Sequence, residues 1–308
     1  MSRPRLGVSL CLSLFLLMSA SVGWATTLNV NCAAKEGLHS IGAALRVLQN
    51  GEGHSPSTIN VSGACRENVV IQSIDRLTLN AVNGASVSDA SGGTLDVISI
   101  QDSRDVAING FTINAGVGDG INGITCGDFS ICRLSHNTIQ GATGGGGFTL
   151  FGQAQATLDG DMLQNNGQGL LMRSGTKVRG GPFTSRNNGQ GINIGRQAFA
   201  FILAVVQNNS DAGVVVQWQS TLELTSGTIS GNGSVGALVR QSSFARFSDS
   251  TITGNAGGGV ILQDLSMGNF IATSVTGNGG VTDIVCSPQY SATRGVADTG
   301  GTTNCVEP

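Results

Sequence analysis

The segment NNGQGLLM, beginning at Asn165, returns 22 residues later as NNGQGINI at Asn187. Similar units continue along the chain. A glycine precedes a short apolar strand at Gly169, Gly191, Gly213, Gly236 and Gly259, at intervals of 22, 22, 23 and 23 residues. The strands read LLMRS, INIGR, VVVQW, ALVRQ and VILQD, and an Asn- or Gly-rich turn stands ahead of each glycine. Self-similarity at this period is the mark of a solenoid. So short a coil cannot bury its own inward side chains, so coils must stack at about 4.8 Å and share one core. Positions one and three after each glycine predict the inward pairs: Leu170 and Met172, Ile192 and Ile194, Val214 and Val216, Ala237 and Val239, Val260 and Leu262. Asparagine tolerates left-handed φ in a turn, and stacked amides can bond from coil to coil. The recurrence therefore reads as a building unit rather than a ligand motif.

Upstream, FTINAGVGDGINGI and NTIQGATGGGGFTL repeat the order strand, glycine turn, strand less regularly. No helical stripe runs through these units. With 47 glycines and 11% charged residues, a helical bundle is excluded. One segment, HSIGAALRVLQN, has a helical apolar face of Ile41, Ala44, Leu45 and Leu48. A solenoid exposes core at its ends, so a helix over residues 40–50 is expected to cap the N-terminal one. At the other end, residues 287–308 lack the repeat and read as a disulfide-closed tail. The outward second positions Leu171, Val215, Leu238 and Ile261 form an apolar column that this tail is expected to cover.

Residues 1–25 have the layout of a secretory signal peptide: Arg3 and Arg5, an apolar run from Leu6 to Met18, and small residues ending at Ala25. The run is short of the roughly 20 residues that span a bilayer. Removing it leaves 14 basic against 19 acidic residues and only two lysines, Lys35 and Lys177, which argues against nucleic acid. It also leaves six cysteines, and several pairings are open to them. Spacing favours Cys32–Cys65, Cys126–Cys132 and Cys286–Cys305. The three histidines are scattered and no CxxC occurs, so no metal site or other cofactor is expected.

The NNGQGINI-type coils, together with STINVSGACRENVVI at residues 57–71, resemble the secreted right-handed parallel β-helix proteins of the pectin lyase-like superfamily. The resemblance covers about residues 27–286. It implies an all-β fold, a single-stranded right-handed parallel β-helix domain (residues 26–286) of about nine or ten coils. It also implies work on acidic polysaccharides, by lyases, hydrolases, esterases and epimerases or by non-catalytic surface proteins.

Each enzyme class has a requirement that the residues can be held to. Polygalacturonase-like hydrolysis gathers several carboxylates on one face; here Asp119 stands alone and the next coil, GGGGFTL, has neither acid nor histidine. Lyase-like elimination needs a base and a cation held by acids. Asp159 and Asp161, spaced by two, are expected to face one side and offer a weak calcium site, against the plainer reading of solvated surface acids. Asp102 and Asp105 bracket a turn. Glu67 and Val69 resemble a pectin-esterase opening coil, but no catalytic motif follows. An epimerase-like site wants His and Tyr beside Asp, yet His136 is alone in the coils and Tyr290 lies in the tail. The catalytic candidates are thus Asp159, Asp161, His136 and Arg196.

The other candidate is a binding face. The fourth and fifth positions after the glycines include Arg173, Arg196, Trp218 and Arg240, which stacked in one ladder would suit a carboxylated glycan: guanidinium for carboxylate, indole for a sugar ring. The sequence therefore leads to an exported protein, extracellular or periplasmic, that binds polysaccharide or another surface without catalysis. The alternative is a lyase or hydrolase of an acidic polysaccharide.

Overall fold

The computed structural model describes residues 25–50, 55–286 and 292–305. The expected leader lies outside them, as does part of the tail. The described chain is a parallel β-solenoid whose coils contribute strands to three sheets. Sheet I has ten strands, from Val69–Gln72 to Ile284–Cys286, each paired only with its neighbours in adjacent coils. Sheet II runs from Thr26–Asn31 to Ala292–Arg294. Sheet III ends at Ser274–Thr276 and is joined to sheet II where long strands such as Leu77–Ser88 and Phe199–Gln207 run through both.

The inward pairs are as the period predicts. Leu170, Ile192, Val214, Ala237, Val260 and Ile284 are consecutive register partners, and so are Met172, Ile194, Val216, Val239, Leu262 and Cys286. All are buried in one continuous core.

The asparagine turns form a ladder. Nδ2 of Asn166 donates to Oδ1 of Asn188 at 3.2 Å, and Asn188 to Asn209, Asn209 to Asn232, Asn232 to Asn255 and Asn255 to Asn278 in the same way, at 2.8–3.1 Å. Each Oδ1 also accepts a backbone N–H from the preceding coil. The series ends on the carboxylate of Asp283. Beside it runs the glycine column. A Cβ on Gly191 would meet the Gly213 carbonyl, Val206 and the Asn209 amide, so close approach of neighbouring coils, not a left-handed φ, selects glycine there.

The helix Ile41–Asn50 buries Ile41, Ala44, Leu45 and Leu48 against the first coil. Its start is held by Glu67, whose carboxylate accepts the N–H groups of Ile41 and Gly42 at 2.7 and 2.9 Å, and by Ser40, whose Oγ accepts that of Ala43 at 3.1 Å. Both use the free donors of a helix N-terminus. The disulfides are Cys32–Cys65, Cys126–Cys132 and Cys286–Cys305. At the far end, Ala292–Arg294 adds a last rung to sheet II, and Thr302 and Asn304 bond to Asp283 and Cys286. Among the described residues no helix is long and apolar enough to cross a membrane.

One expectation is corrected. In the outward apolar column of sheet I, Val215 is covered by the turns that precede the strands, through Ala212 and Val235, while Leu238 and Ile261 beside it stay half-buried. Val215 is only 2% exposed without any contribution from the described tail.

Candidate functional site

After three successive strands of sheet I the chain turns into sheet II through two residues in left-handed conformation. They are Arg196 and Gln197 (φ 57° and 63°), Trp218 and Gln219 (55° and 58°), and Gln241 and Ser242 (59° and 56°). The exposed pairs Arg196–Gln197 and Trp218–Gln219 stand along one corner, and they form a groove of about 810 Å³ that runs from Gln153 and Ser174 at one end to Gln241 at the other. The Arg196 guanidinium lies 5.5 Å from the centre of the Trp218 ring, within cation–π range. Gln197 Nε2 donates to Gln219 Oε1 at 3.3 Å. The indole is 42% exposed and leans over the Gly195 backbone, where an added Cβ would stand 3.0 Å from it. Among the described residues, none lining this groove is acidic. The one ion pair among them is Arg133 with Asp105, at 2.7 Å, so Arg196 faces the groove uncompensated.

A second groove, of about 460 Å³, lies on the outer face of sheet I and shares Ser174 and Arg196 with the first. Asn122 organises it. Its Oδ1 accepts the Gly146 N–H at 2.8 Å and the Thr149 hydroxyl at 2.7 Å, while its Nδ2 donates to Asp96 at 3.0 Å. The other Asp96 oxygen accepts the Thr125 hydroxyl. Arg173 stands exposed at the edge of this groove.

The expected single ladder of arginines therefore splits. Arg173 and Arg240 follow the face of sheet I, whereas Arg196 and Trp218 sit one residue later, at the corner. Arg240 is engaged: its Nε and Nη2 donate to Gln217 Oε1 at 3.1 and 2.7 Å, Gln217 donates to Asn193, Asn193 to Gln190, and Gln190 to Asp211.

The acid candidates are elsewhere. Asp159 ends a strand of sheet II and is exposed; Gly160, with φ 69°, then turns the chain, and Asp161 points inward, 1% exposed. They do not share a face, so the expected calcium pair is not formed. Asp161 accepts three N–H groups, from Asn137 backbone and Nδ2 at 2.9 and 2.8 Å and from Asp159 at 3.1 Å. Burial pushes its carboxyl up to about 6 against the pull of those bonds and of His136. His136 is exposed on the coil before, with Nδ1 2.7 Å from the Ser135 hydroxyl. All three belong to the corner between sheets II and III, not to the one that carries Arg196. The metal-type cluster present among the described residues, Cys32, Cys65 and Glu67, is a disulfide beside a helix-capping carboxylate.

The right-handed β-helix region family matches residues 122–304, more than half of the sequence. The chain belongs to this family. No curated protein matches the β-helix by sequence. Solved structures do match its fold. The A-module of a mannuronan C-5 epimerase from Azotobacter vinelandii superposes with a TM-score of 0.60 at 12% identity, covering 86% of this chain and 94% of that one. The enzymatically active domain of tailspike protein 2 of bacteriophage CBA120 gives 0.62 at 10%, covering 86% and 47%. A pectin methylesterase from Erwinia chrysanthemi gives 0.51 at 10%, covering 88% and 93%. At these identities the likeness is one of fold.

Asp96 and Asn122 were missed in the sequence because the signal is faint: isolated polar residues just ahead of the sheet I strands Ile98–Gln101 and Ile124–Gly127, on coils where the repeat is irregular. Gly195 was equally silent. Its role as a seat for the indole one coil further on is visible only once the register is known.

Proposed function

We propose that this β-helix is an exported, non-catalytic polysaccharide-binding protein whose ligand lies in the corner groove. One observation carries the reading. Arg196 and Trp218 present an uncompensated guanidinium packed over a partly exposed indole in a groove without carboxylates. An indole stacks on the apolar face of a sugar ring, and a guanidinium binds a carboxylate through two hydrogen bonds. The pair suits a uronic acid residue. The three disulfides fit an oxidising compartment. Separation of Asp159, Asp161 and His136 from Arg196 supports binding over the lyase or hydrolase alternative, which requires them to converge.

The test is incubation with pectate, alginate and glycosaminoglycans, with and without calcium, followed by mass spectrometry and by retention on the immobilised polymers. Intact polymer and retention lost in W218A are expected. Unsaturated or shortened products would transfer the reading to an enzyme.

A further inference from the structure

The outward face of sheet II carries an aromatic strip that neither groove uses. Phe199 and Phe201 stand on one strand, flanking the buried Ala200. In the first column the register runs Lys177, Phe199, Thr221, Phe244, Met267, and in the next Arg179, Phe201, Glu223, Arg246, Asn269. Phe201 is 40% exposed and Phe199 and Phe244 are half-buried. Only 5% of the chain is aromatic, and the neighbouring inward residues already fill the core. Core packing therefore does not account for three phenylalanines gathered on one outer face.

Their spacing has a meaning. Phe199 and Phe244 are two coils apart, about 9.6 Å along the axis, with the smaller Thr221 between them. That is close to the length of one disaccharide in an extended β-1,4-linked glycan, in which alternate sugar rings present the same face. Aromatic rings stack on such faces. The strip is two columns wide, and its second column sets Arg179, Glu223 and Arg246 in line with Phe201, none of them in an ion pair. Protein interfaces deplete charge at their centre, so charges of both signs inside the strip fit hydroxyl groups better than a protein partner.

We infer that this strip binds an extended β-1,4-linked polysaccharide laid along the solenoid axis, with alternate sugars over Phe199 and Phe244. The site is separate from the corner groove and does not depend on the reading given to it.

The test measures depletion of the full-length protein by insoluble cellulose, chitin and mannan, with a β-1,3-glucan as linkage control. F199L/F244L keeps apolar bulk but removes the rings; F199Y/F244Y keeps the rings. Wild type, W218A and F199Y/F244Y are expected to bind a β-1,4-linked polymer, and F199L/F244L about tenfold more weakly with unchanged circular dichroism and melting. Failure of wild type to bind any of the three polymers overturns the inference. So do equal binding to the β-1,3-glucan, full binding by F199L/F244L, or loss of binding in W218A, which would move the retention to the corner groove. Conversion of a wild-type dimer to a monomer by F199L/F244L in sedimentation also overturns it, since the strip would then be a self-association face.

Discussion

The Asp161 carboxylate takes two hydrogen bonds from Asn137, from its backbone at 2.9 Å and from Nδ2 at 2.8 Å, while 1% exposed. Burial wins over these bonds and raises its carboxyl from 3.8 to about 6. An acid whose folded value is raised favours folding in its protonated form, so stability should fall as pH rises from about 4 to about 6 and level off above, by up to about 3 kcal/mol. Asp89 and Asp283 act oppositely. Burial opposes the hydrogen bonds that each accepts, and the bonds prevail, holding both carboxyls below the usual range. Their contribution is present above about pH 4 and lost as pH falls below it. Urea unfolding across pH 3–8 should show a maximum near pH 4 to 5, and D161N should flatten the limb above it. An unchanged limb in D161N would remove Asp161 as its cause.

N209A should cost about 2–3 kcal/mol. It strips the buried Asn188 of the acceptor for both its N–H and its side-chain amide, at 3.0 and 3.1 Å, and leaves Asn232 Oδ1 without the Asn209 amide. The adjacent Asn208 is exposed with φ 55°, so N208G should be neutral within about 0.5 kcal/mol. Equal losses at the two positions, measured by chemical denaturation, would contradict the ladder.

Glycine substitutions should separate two kinds of glycine. G191A drives a Cβ into the next coil and should cost more than about 3 kcal/mol. G175A meets nothing closer than Gln153 Cγ at 3.6 Å and should cost about 1 kcal/mol, from its φ of 70° alone. A melting curve for each variant decides the order.

At the corner, R196A should weaken binding of a uronate oligosaccharide about three- to thirtyfold, with the remaining affinity less sensitive to salt. G195A should weaken it too, without touching ligand, by displacing the Trp218 ring that stands 3.0 Å from the new Cβ. Tryptophan fluorescence of G195A should shift relative to wild type. An unshifted spectrum would mean that Gly195 does not seat the indole.

Much of this fold can be read in the sequence because coil register is carried by the period itself: once Gly169, Gly191 and Gly213 are aligned, Leu170, Ile192 and Val214 must stack. Side-chain direction near corners is less legible. Asp159 and Asp161 look like one strand face, but Gly160 turns the chain between them. Arg240 and Arg196 differ by one position after their glycines, which is the difference between the sheet face and the left-handed corner. The Phe199 and Phe244 pairing is invisible without knowing that 45 residues amount to two coils of sheet II.

Along the asparagine ladder every amide points the same way, towards Asp283, and each rung receives from the coil before what it offers to the coil after. Such a series has no preferred length. A duplication or deletion of one whole coil, anywhere between Asn166 and Asn278, leaves donors and acceptors in balance, whereas a shift of part of a coil breaks the series at once. On this geometry, change by whole turns is the kind that the ladder tolerates, lengthening or shortening the outer surface while the two ends stay as they are.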